Sequence, residues 1–540
     1  MILTAIMDKM TEEVSAEDKI YYFFSIQNIY SIIKGDYMAI TVKDMRIIEL
    51  NTVSMGIPLI RLMEAAGKSV AEAIISRLKP GEAGRIVVLM GRGGNGGDGI
   101  VAARYLDSFG YNVEILPAYR EELINHPDTL ENYSIVKRLT TIKIHRPGRL
   151  DVLDGAGVII DGLLGTGVKG ELRDPIKSIV EKSNKVNAKL KVAIDTPTGL
   201  NPDTGDIHGI AFKADITVTF HDLKPGLLKR KDIAGEIIVA DIGVPRDATI
   251  YVGPGDIVYN VPERPKDAHK GSSGRILVIG GSNKYTGAPA LAGLAALAAG
   301  SDLAFIVCPE SIRGIIAGYS PELITIPYPG KYLSIESLDH ILKTIEEYRP
   351  HVIIVGPGLG RRPETLEAVR RLLDKLVEEN KRIVIDADAL KAIDYDRMKF
   401  KGNAVLTPHR GEFKSITGKT VEQGHRGAET VAEAARRLEA TILLKAPIDI
   451  ISDGERLKYN RTGNPYMAIG GTGDVLTGIV ASMYALTGDP FVSASIAAYI
   501  NGLAGDYLLK NGEKVTPTNI IKVIDKVIKD PLNIHINTYT

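Results

Sequence analysis

The chain has 540 residues, 66 Lys+Arg against 66 Asp+Glu, and a formal net charge of zero. At about 150 residues per domain the length allows three to four domains or two large α/β ones, and 44% hydrophobic content excludes wholesale disorder. The even charge balance gives no support to a nucleic-acid or anionic-membrane partner, and a single cysteine, Cys308, excludes an internal disulfide framework, Cys-based zinc sites and iron–sulfur clusters.

In chain order, residues 1–37 differ in pattern from the rest of the chain and are acidic where a signal peptide is basic. They are expected to be an appended helix or the product of a misplaced start codon, with Met38 opening the first domain. Buried-strand patterns then stand at 85–90, 112–116, 157–161, 191–195, 216–220 and 236–240, with helical stretches between them. Strand 85–90 runs into GRGGNGGDG (91–99), where Gly91, Gly93 and Gly96 satisfy G-x-G-x-x-G. Asn95 and Asp98 lie inside that loop, and a carboxylate beside a pyrophosphate is repulsive unless a cation intervenes. The loop therefore suits a site with its own cation better than a dinucleotide-phosphate turn. Asp161 ends the next strand before GLLGTGVKGE (162–171), and Asp195 ends another before TPTGLNPDTGDI. A strand-end Asp alone is usually a cap or a loop brace. Three such groups at the carboxyl edge of one sheet point to a crevice.

Pro245, Pro254, Pro262 and Pro265 mark 244–274 as a connector without helical period. The expected division is a first domain over 38–250, a linker over 251–264 and a second domain over 265–535. A second set of strands stands at 275–280, 303–308, 351–356, 382–386, 404–407 and 441–445. The fold class expected is α/β, with two doubly wound domains of independent origin, the first Rossmann-like. The small-residue run at 290–300 is too short to span a bilayer and reads as a buried helix. ITGKT (416–420) imitates a P-loop tail, but Phe413 stands where that motif requires glycine. The sharpest signal is GGTGD (470–474) before an apolar helix. Gly471, Thr472 and Gly473 would present backbone N–H groups as an anion hole for a transferring phosphoryl group. Asp474 would take the proton of an attacking hydroxyl.

MEAAG (63–67), GNGGDG (94–99), DGLLGTG (161–167) and DTPTGLNPDTG (195–205) together resemble the epimerase domain of the NAD(P)H-hydrate repair family. The resemblance implies a site for the hydrated nicotinamide cofactor built from Gly94, Asn95, Gly96, Gly97 and Asp98, from Gly165, Thr166, Gly167, Val168, Lys169, Gly170 and Glu171, and from a catalytic Asp195. It also implies a potassium ion held by Asn95, Asp161 and Thr198. Gly94 replaces the first of a usual Asn pair and Thr198 replaces a usual Ser, both changes that keep the implied ligand oxygens.

The GGTGD signature resembles the ribokinase-like superfamily. With KGSSGRILVIGGSNKYTGAPALA, VGPGLG (355–360), DADAL (386–390) and TPHRGEF (407–413), it resembles the NAD(P)H-hydrate dehydratase domain over about 265–530. The resemblance implies Asp474 as base and Ala288, Gly358 and His409 beside it in the hydrate site. Lys445, Ala446, Pro447, Ile448, Asp449 and Gly473 would contact the nucleotide, and Glu412 would hold magnesium through water. APID after Lys445 departs from the Gly-rich version of that segment.

The expected activity is repair of hydrated NADH and NADPH: an isomerase interconverts the R and S epimers, and a lyase dehydrates the S form with ADP, or ATP, as co-substrate and Mg2+. The alternatives are a small-metabolite kinase that stops at phosphorylation, and a first domain that is a non-catalytic binding scaffold. The chain is expected to be cytoplasmic and homo-oligomeric, with small-molecule partners and neither nucleic acid nor membrane among them.

Overall fold

The computed structural model describes residues 39–165, 170–207 and 209–539. The expectation about residues 1–37 lies outside the described residues. The described chain divides into two units, one ending at Pro245 and the other beginning at Arg246.

The first unit is built on a seven-stranded, all-parallel sheet. Its strands are β1 (Arg85–Met90), β2 (Asn112–Pro117), β3 (Lys143–Ile144), β4 (Val158–Gly162), β5 (Leu190–Ile194), β6 (Ile216–Phe220) and β7 (Glu236–Ala240). Their order in space is β3-β2-β1-β4-β5-β6-β7. The chain moves outward from β1 in one direction and restarts at β4 in the other, so the switch point lies between β1 and β4. Ile86, Val87, Val88 and Leu89 of β1 are completely buried, as a strand covered on both faces requires. The two-residue β3 is too short to leave an alternating or apolar signature, which is why six strands are legible here instead of seven. Helix α1 (Val42–Ser54) is fixed at its start by Thr41, whose hydroxyl accepts from the Asp44 N–H while the Asp44 carboxylate accepts from the Thr41 N–H. Helix α2 (Gly94–Ser108) begins inside the GRGGNGGDG loop.

The second unit carries a nine-stranded sheet in the order β10-β9-β8-β11-β12-β13-β14-β15-β16. Strands β8 (Arg275–Ile279), β9 (Leu303–Pro309), β10 (Leu323–Tyr328), β11 (Val352–Val355), β12 (Ile383–Ile385), β13 (Ala404–Leu406) and β14 (Thr441–Leu444) run parallel. β15 (Asp449–Ser452) and β16 (Leu457–Asn460) close the edge antiparallel. Both units are thus α/β with parallel-dominated sheets. β10, β15 and β16 escape the sequence reading because none carries a long apolar run; β10 places Ile324 and Thr325 on its less buried positions, and β16 begins with half-buried Leu457 and Lys458.

Helix α3 (Gly287–Ala298) is the small-residue helix expected at 290–300. Among the described residues no helix is long and apolar enough to cross a membrane.

One boundary differs from the sequence reading. Residues 251–264 were expected to form a linker, yet Tyr251, Val252 and Ile257 are buried in the cores of the second unit. The Val252 N–H donates to the Tyr459 carbonyl at 2.8 Å, and buried Asp256 pairs with Lys458. Prolines without periodicity do mark irregular backbone, but irregular backbone still docks when it carries apolar side chains that a neighbouring sheet edge can cover.

Candidate functional site

The first unit has a cavity of about 440 Å³ at the carboxyl ends of β1, β4 and β5. Three segments that follow strands line part of it, beside residues of α1 and of the helix Leu59–Ile75. The loop after β1 supplies Gly93, Gly94, Asn95 and Asp98; the loop after β4 supplies Leu163, Leu164 and Gly165; Asp195 follows β5. A Cβ at Gly96 would lie 2.2 Å from the Gly91 carbonyl oxygen, so the turn closes on itself only with glycine there. Gly96 and Gly97 are accordingly buried as packing positions, Gly97 against Met63, and do not line the cavity. Gly170 and Glu171 are exposed and do not line it either, and Thr166, Gly167, Val168 and Lys169 lie outside the described residues.

Asp195 is held in the left-handed region at φ 58°. Its Oδ1 accepts from Lys224 Nζ at 2.9 Å, from the Thr219 hydroxyl at 3.1 Å and from the Phe220 N–H at 3.4 Å. The Lys224 side chain is 0% exposed and also donates to the Phe220 carbonyl at 2.7 Å. A fully buried lysine needs such partners, since an unpaired buried ammonium would lose its proton or unfold the site. Glu49 of α1 faces the same cavity, and burial, reinforced by the charge of Asp195, pushes its carboxyl up to about 7. Burial and the charges of Asp195 and Glu49 push Asp98 well above the carboxylate range.

Below the cavity floor, Asp161 is fully buried at the end of β4. It accepts from the Thr198 N–H and hydroxyl, both at 2.8 Å, and from the Leu163 N–H at 3.2 Å. Burial pushes it up to about 6 even though these three bonds lower it. Asn95 turns its amide N–H to the Ile194 carbonyl at 2.9 Å, and its Oδ1 lies 2.9 Å from where a Gly165 Cβ would be. Asp161 and Thr198 are therefore in direct contact, with Asn95 against the neighbouring backbone. Among the described residues no group of three His, Cys, Asp or Glu side chains could hold a metal. Any cation here would rest on carboxylate, amide, hydroxyl and main-chain oxygens, which suit a weakly hydrated monovalent ion better than zinc.

In the second unit a cavity of about 830 Å³ is lined by His409, Lys445, Ala446, Pro447, Asp449, Thr472 and Gly473, among others. Helix α4 (Arg410–Thr417) and helix α5 (Thr472–Thr487) start at its wall. Gly471 caps α5 at φ 100°, where a Cβ would meet Leu291 at 2.8 Å and Pro517 at 2.9 Å. The first N–H groups of α5 have no intrahelical partner, and Thr472 and Gly473 face the cavity. Lys445 Nζ is 2.9 Å from Asp386 Oδ1 and 3.4 Å from where a Gly473 Cβ would be, so a cation sits beside this helix start. Asp386 also accepts from the Thr477 hydroxyl at 2.7 Å; against the cost of burial, Lys445 holds it below the carboxylate range. Asp474 goes the other way. Burial first, then the charge of Asp386, pushes it up to about 7 despite Lys445.

His409 caps α4, its Nδ1 accepting from the Gly411 and Glu412 N–H groups at 3.0 and 3.2 Å. Glu412 completes the box by accepting from the His409 N–H at 2.9 Å. The other Glu412 oxygen lies 3.4 Å from His409 Nε2, and Glu412 is not among the residues that line the cavity. Asp449 spends its carboxylate on the Ala446 N–H and the Asn460 amide, both at 2.9 Å, and so shapes the 445–449 turn. Ile448 packs against the core and does not line the cavity. Ala288 and Gly358 come together, the Ala288 Cβ standing 3.4 Å from a Gly358 Cβ position, outside the 830 Å³ cavity.

Residues 59–226 match the family model described as YjeF-related protein N-terminus, and residues 276–526 match NAD(P)H-hydrate dehydratase. The bifunctional NAD(P)H-hydrate repair enzyme Nnr of Hyperthermus butylicus is 43% identical over 506 residues, spanning 92% of this chain and 93% of its own. The chain belongs to the NAD(P)H-hydrate repair family. The Nnr enzyme of Methanothermobacter thermautotrophicus is 40% identical over 90% of this chain and 95% of its own. Among solved structures, the ADP/ATP-dependent NAD(P)H-hydrate dehydratase of Bacillus subtilis, co-crystallised with ATP/Mg2+, is 28% identical and covers 52% of this chain and 98% of its own at a TM-score of 0.46.

Within that family frame, the sequence motifs give no role to Glu49, Lys224 or Asp386. Asp386 ends a strand pattern just as Asp161 and Asp195 do, and the same signal would have found it. Glu49 and Lys224 carry no local signal: one reads as a helix-surface acid, the other as a loop cation.

Proposed function

We propose that the Asp195 cavity of the first unit interconverts the R and S epimers of hydrated NADH and NADPH, and that the Asp474 site of the second dehydrates the S epimer. The observation that carries the reading is the head of α5: Thr472, Gly473 and Lys445 line a cavity of about 830 Å³, and Gly471 and Asp474, the latter pushed up to about 7, flank them in the chain. Hydroxide is a poor leaving group, so the hydroxyl must be converted before it departs. Asp474 takes the hydroxyl proton as that oxygen attacks the terminal phosphoryl group of ADP or ATP. The Gly471, Thr472 and Gly473 N–H groups and Lys445 receive the charge that develops on the phosphoryl oxygens. Phosphate then leaves, a proton leaves the adjacent ring carbon, and the nicotinamide ring is restored. Magnesium, when bound through water at Glu412, would neutralise phosphate charge during the transfer.

In the first unit, Asn95, Asp161 and Thr198 would hold potassium. Support comes from Asp161, a buried carboxylate with no Lys or Arg within ion-pair distance among the described residues. A monovalent cation would supply the missing charge and fix the loops after β1 and β4 on either side of the cavity.

A kinase that stops at phosphorylation would share the second site. The relatives that span both units are repair enzymes, which favours dehydration. The test is incubation with a mixed-epimer hydrate, magnesium and either nucleotide, following the return of nicotinamide absorbance. Full conversion of both epimers supports the reading, whereas a stable phosphorylated product without NADH would refute it.

A further inference from the structure

We infer that Glu49 of α1 is a second proton-transfer group of the first unit's cavity, working with Asp195 on the hydroxyl-bearing ring carbon of the substrate. This rests on the reading of that cavity as the epimerase site. Glu49 and Asp195 reach the cavity from different elements and are treated differently by the protein. Asp195 accepts from buried Lys224, the Thr219 hydroxyl and the Phe220 N–H. Glu49 is half-buried beside Met45 and Leu62 and makes no hydrogen bond or ion pair within 4 Å among the described residues. A half-buried carboxyl without a partner is a cost to folding; here its hydrogen-bonding capacity is left for whatever fills the cavity.

The chemistry needs such an asymmetric pair. In the hydrate, the hydroxyl-bearing carbon is bonded to the ring nitrogen. Protonated Glu49 gives its proton to the hydroxyl, the C–O bond breaks, and water leaves as the nitrogen lone pair forms a C=N bond. A water molecule then adds to the other face of the carbon, the C=N electron pair returns to nitrogen, and Asp195 takes the added water's proton. One water leaves and one enters, one proton passes from Glu49 to Asp195, and nothing is oxidised or reduced. Before the next turnover Glu49 takes a proton from solvent and Asp195 gives one up to it. The groups that set the protonation of Glu49 are Arg46 on its own helix and Asp195 and Lys224 across the cavity; Asp98, Arg92 and His126 also stand in the lining. Burial and Asp195 hold Glu49 at about 7, so neutral solution keeps a proton available on it.

The test uses the full-length protein, without nucleotide, measuring epimer interconversion by chromatography between about pH 5 and pH 9. Wild-type kcat/KM should fall as pH rises through about 7, because the acid form of Glu49 is lost there. Glu49→Gln should lower kcat about 100-fold or more with KM little changed, remove that fall from the residual rate, and leave dehydration of the S epimer intact. Glu49→Asp should recover part of the rate and restore the fall. A Glu49→Gln protein that keeps the wild-type rate, or a slow one whose residual rate still falls through 7, overturns the inference. Asp195→Asn, run alongside, separates the two claims. If it is inactive while Glu49→Gln is normal, the inference fails and the epimerase reading stands. If both epimerise at full rate, the reading of the cavity fails and Glu49 falls with it.

Discussion

Asp474→Asn should make the second unit more stable and inactive at once, and the two effects can be read separately. The carboxyl is pushed from its ordinary 3.8 to about 7 by burial and by Asp386. A folded-state value above the unfolded one means the native state binds the proton more tightly. Stability conferred by that proton is fully present below about 4 and is lost as pH rises from there to about 7. Above 7 the native protein carries an unfavourable charge that the unfolded chain carries freely. The difference of about three in pKa corresponds to about 4 kcal/mol; with relaxation and solvent access, about half of that is a reasonable expectation. Because Asn has no charge to bury, Asp474→Asn should gain about 2 kcal/mol at pH 8 and little at pH 4. For a unit of this size that is a rise in Tm of about 3–4 °C. The same substitution removes the base, which typically costs about 100- to 10,000-fold in rate. Calorimetry at both pH values and a dehydration assay on S hydrate complete the measurement. A variant that dehydrates within about tenfold of wild type refutes Asp474 as base. An inactive variant with no stability gain at pH 8 refutes the electrostatic account of the site.

Asp195→Asn should abolish epimerisation while leaving dehydration intact, so that S hydrate is consumed and the R fraction is left behind, as chromatography of the mixture would show. It should also lower the melting temperature of the first unit, because Lys224 would be left buried without its carboxylate, a loss of about 3–5 kcal/mol for broken buried pairs. Replacing Lys224 by Met in the Asp195→Asn background should recover much of that stability without activity. Epimerisation should drop when potassium is exchanged for lithium and ignore zinc chelators; full activity in lithium alone would remove the proposed ion. A fragment starting at Arg246 should fold and dehydrate, whereas one starting at 265 should melt lower or precipitate, because it lacks buried Tyr251, Val252 and Ile257. Equal melting of the two fragments would show that this segment contributes no core.

The parts of this protein that are legible in its sequence are those whose requirements are local. The strand patterns at 85–90 and 275–280 and the GRGGNGGDG and GGTGD turns are set by neighbours a few residues away. A turn that must bring Gly96 within reach of the Gly91 carbonyl, or a helix start capped at φ 100° by Gly471, writes itself into composition. The two-residue β3 and the four-residue β15 and β16 could not be read this way, because strands this short borrow their stability from partner strands more than from their own pattern. Packing, and no local pattern, assigns Arg246–Asn260 to the second unit, since docking depends on the apolar edge it meets at Tyr459. Packing likewise brings Glu49, Asp98 and Asp195 into one cavity with Lys224. Their protonation follows from burial and from charges brought close by the fold. Burial is a property of everything packed around a residue, and no window of sequence contains it.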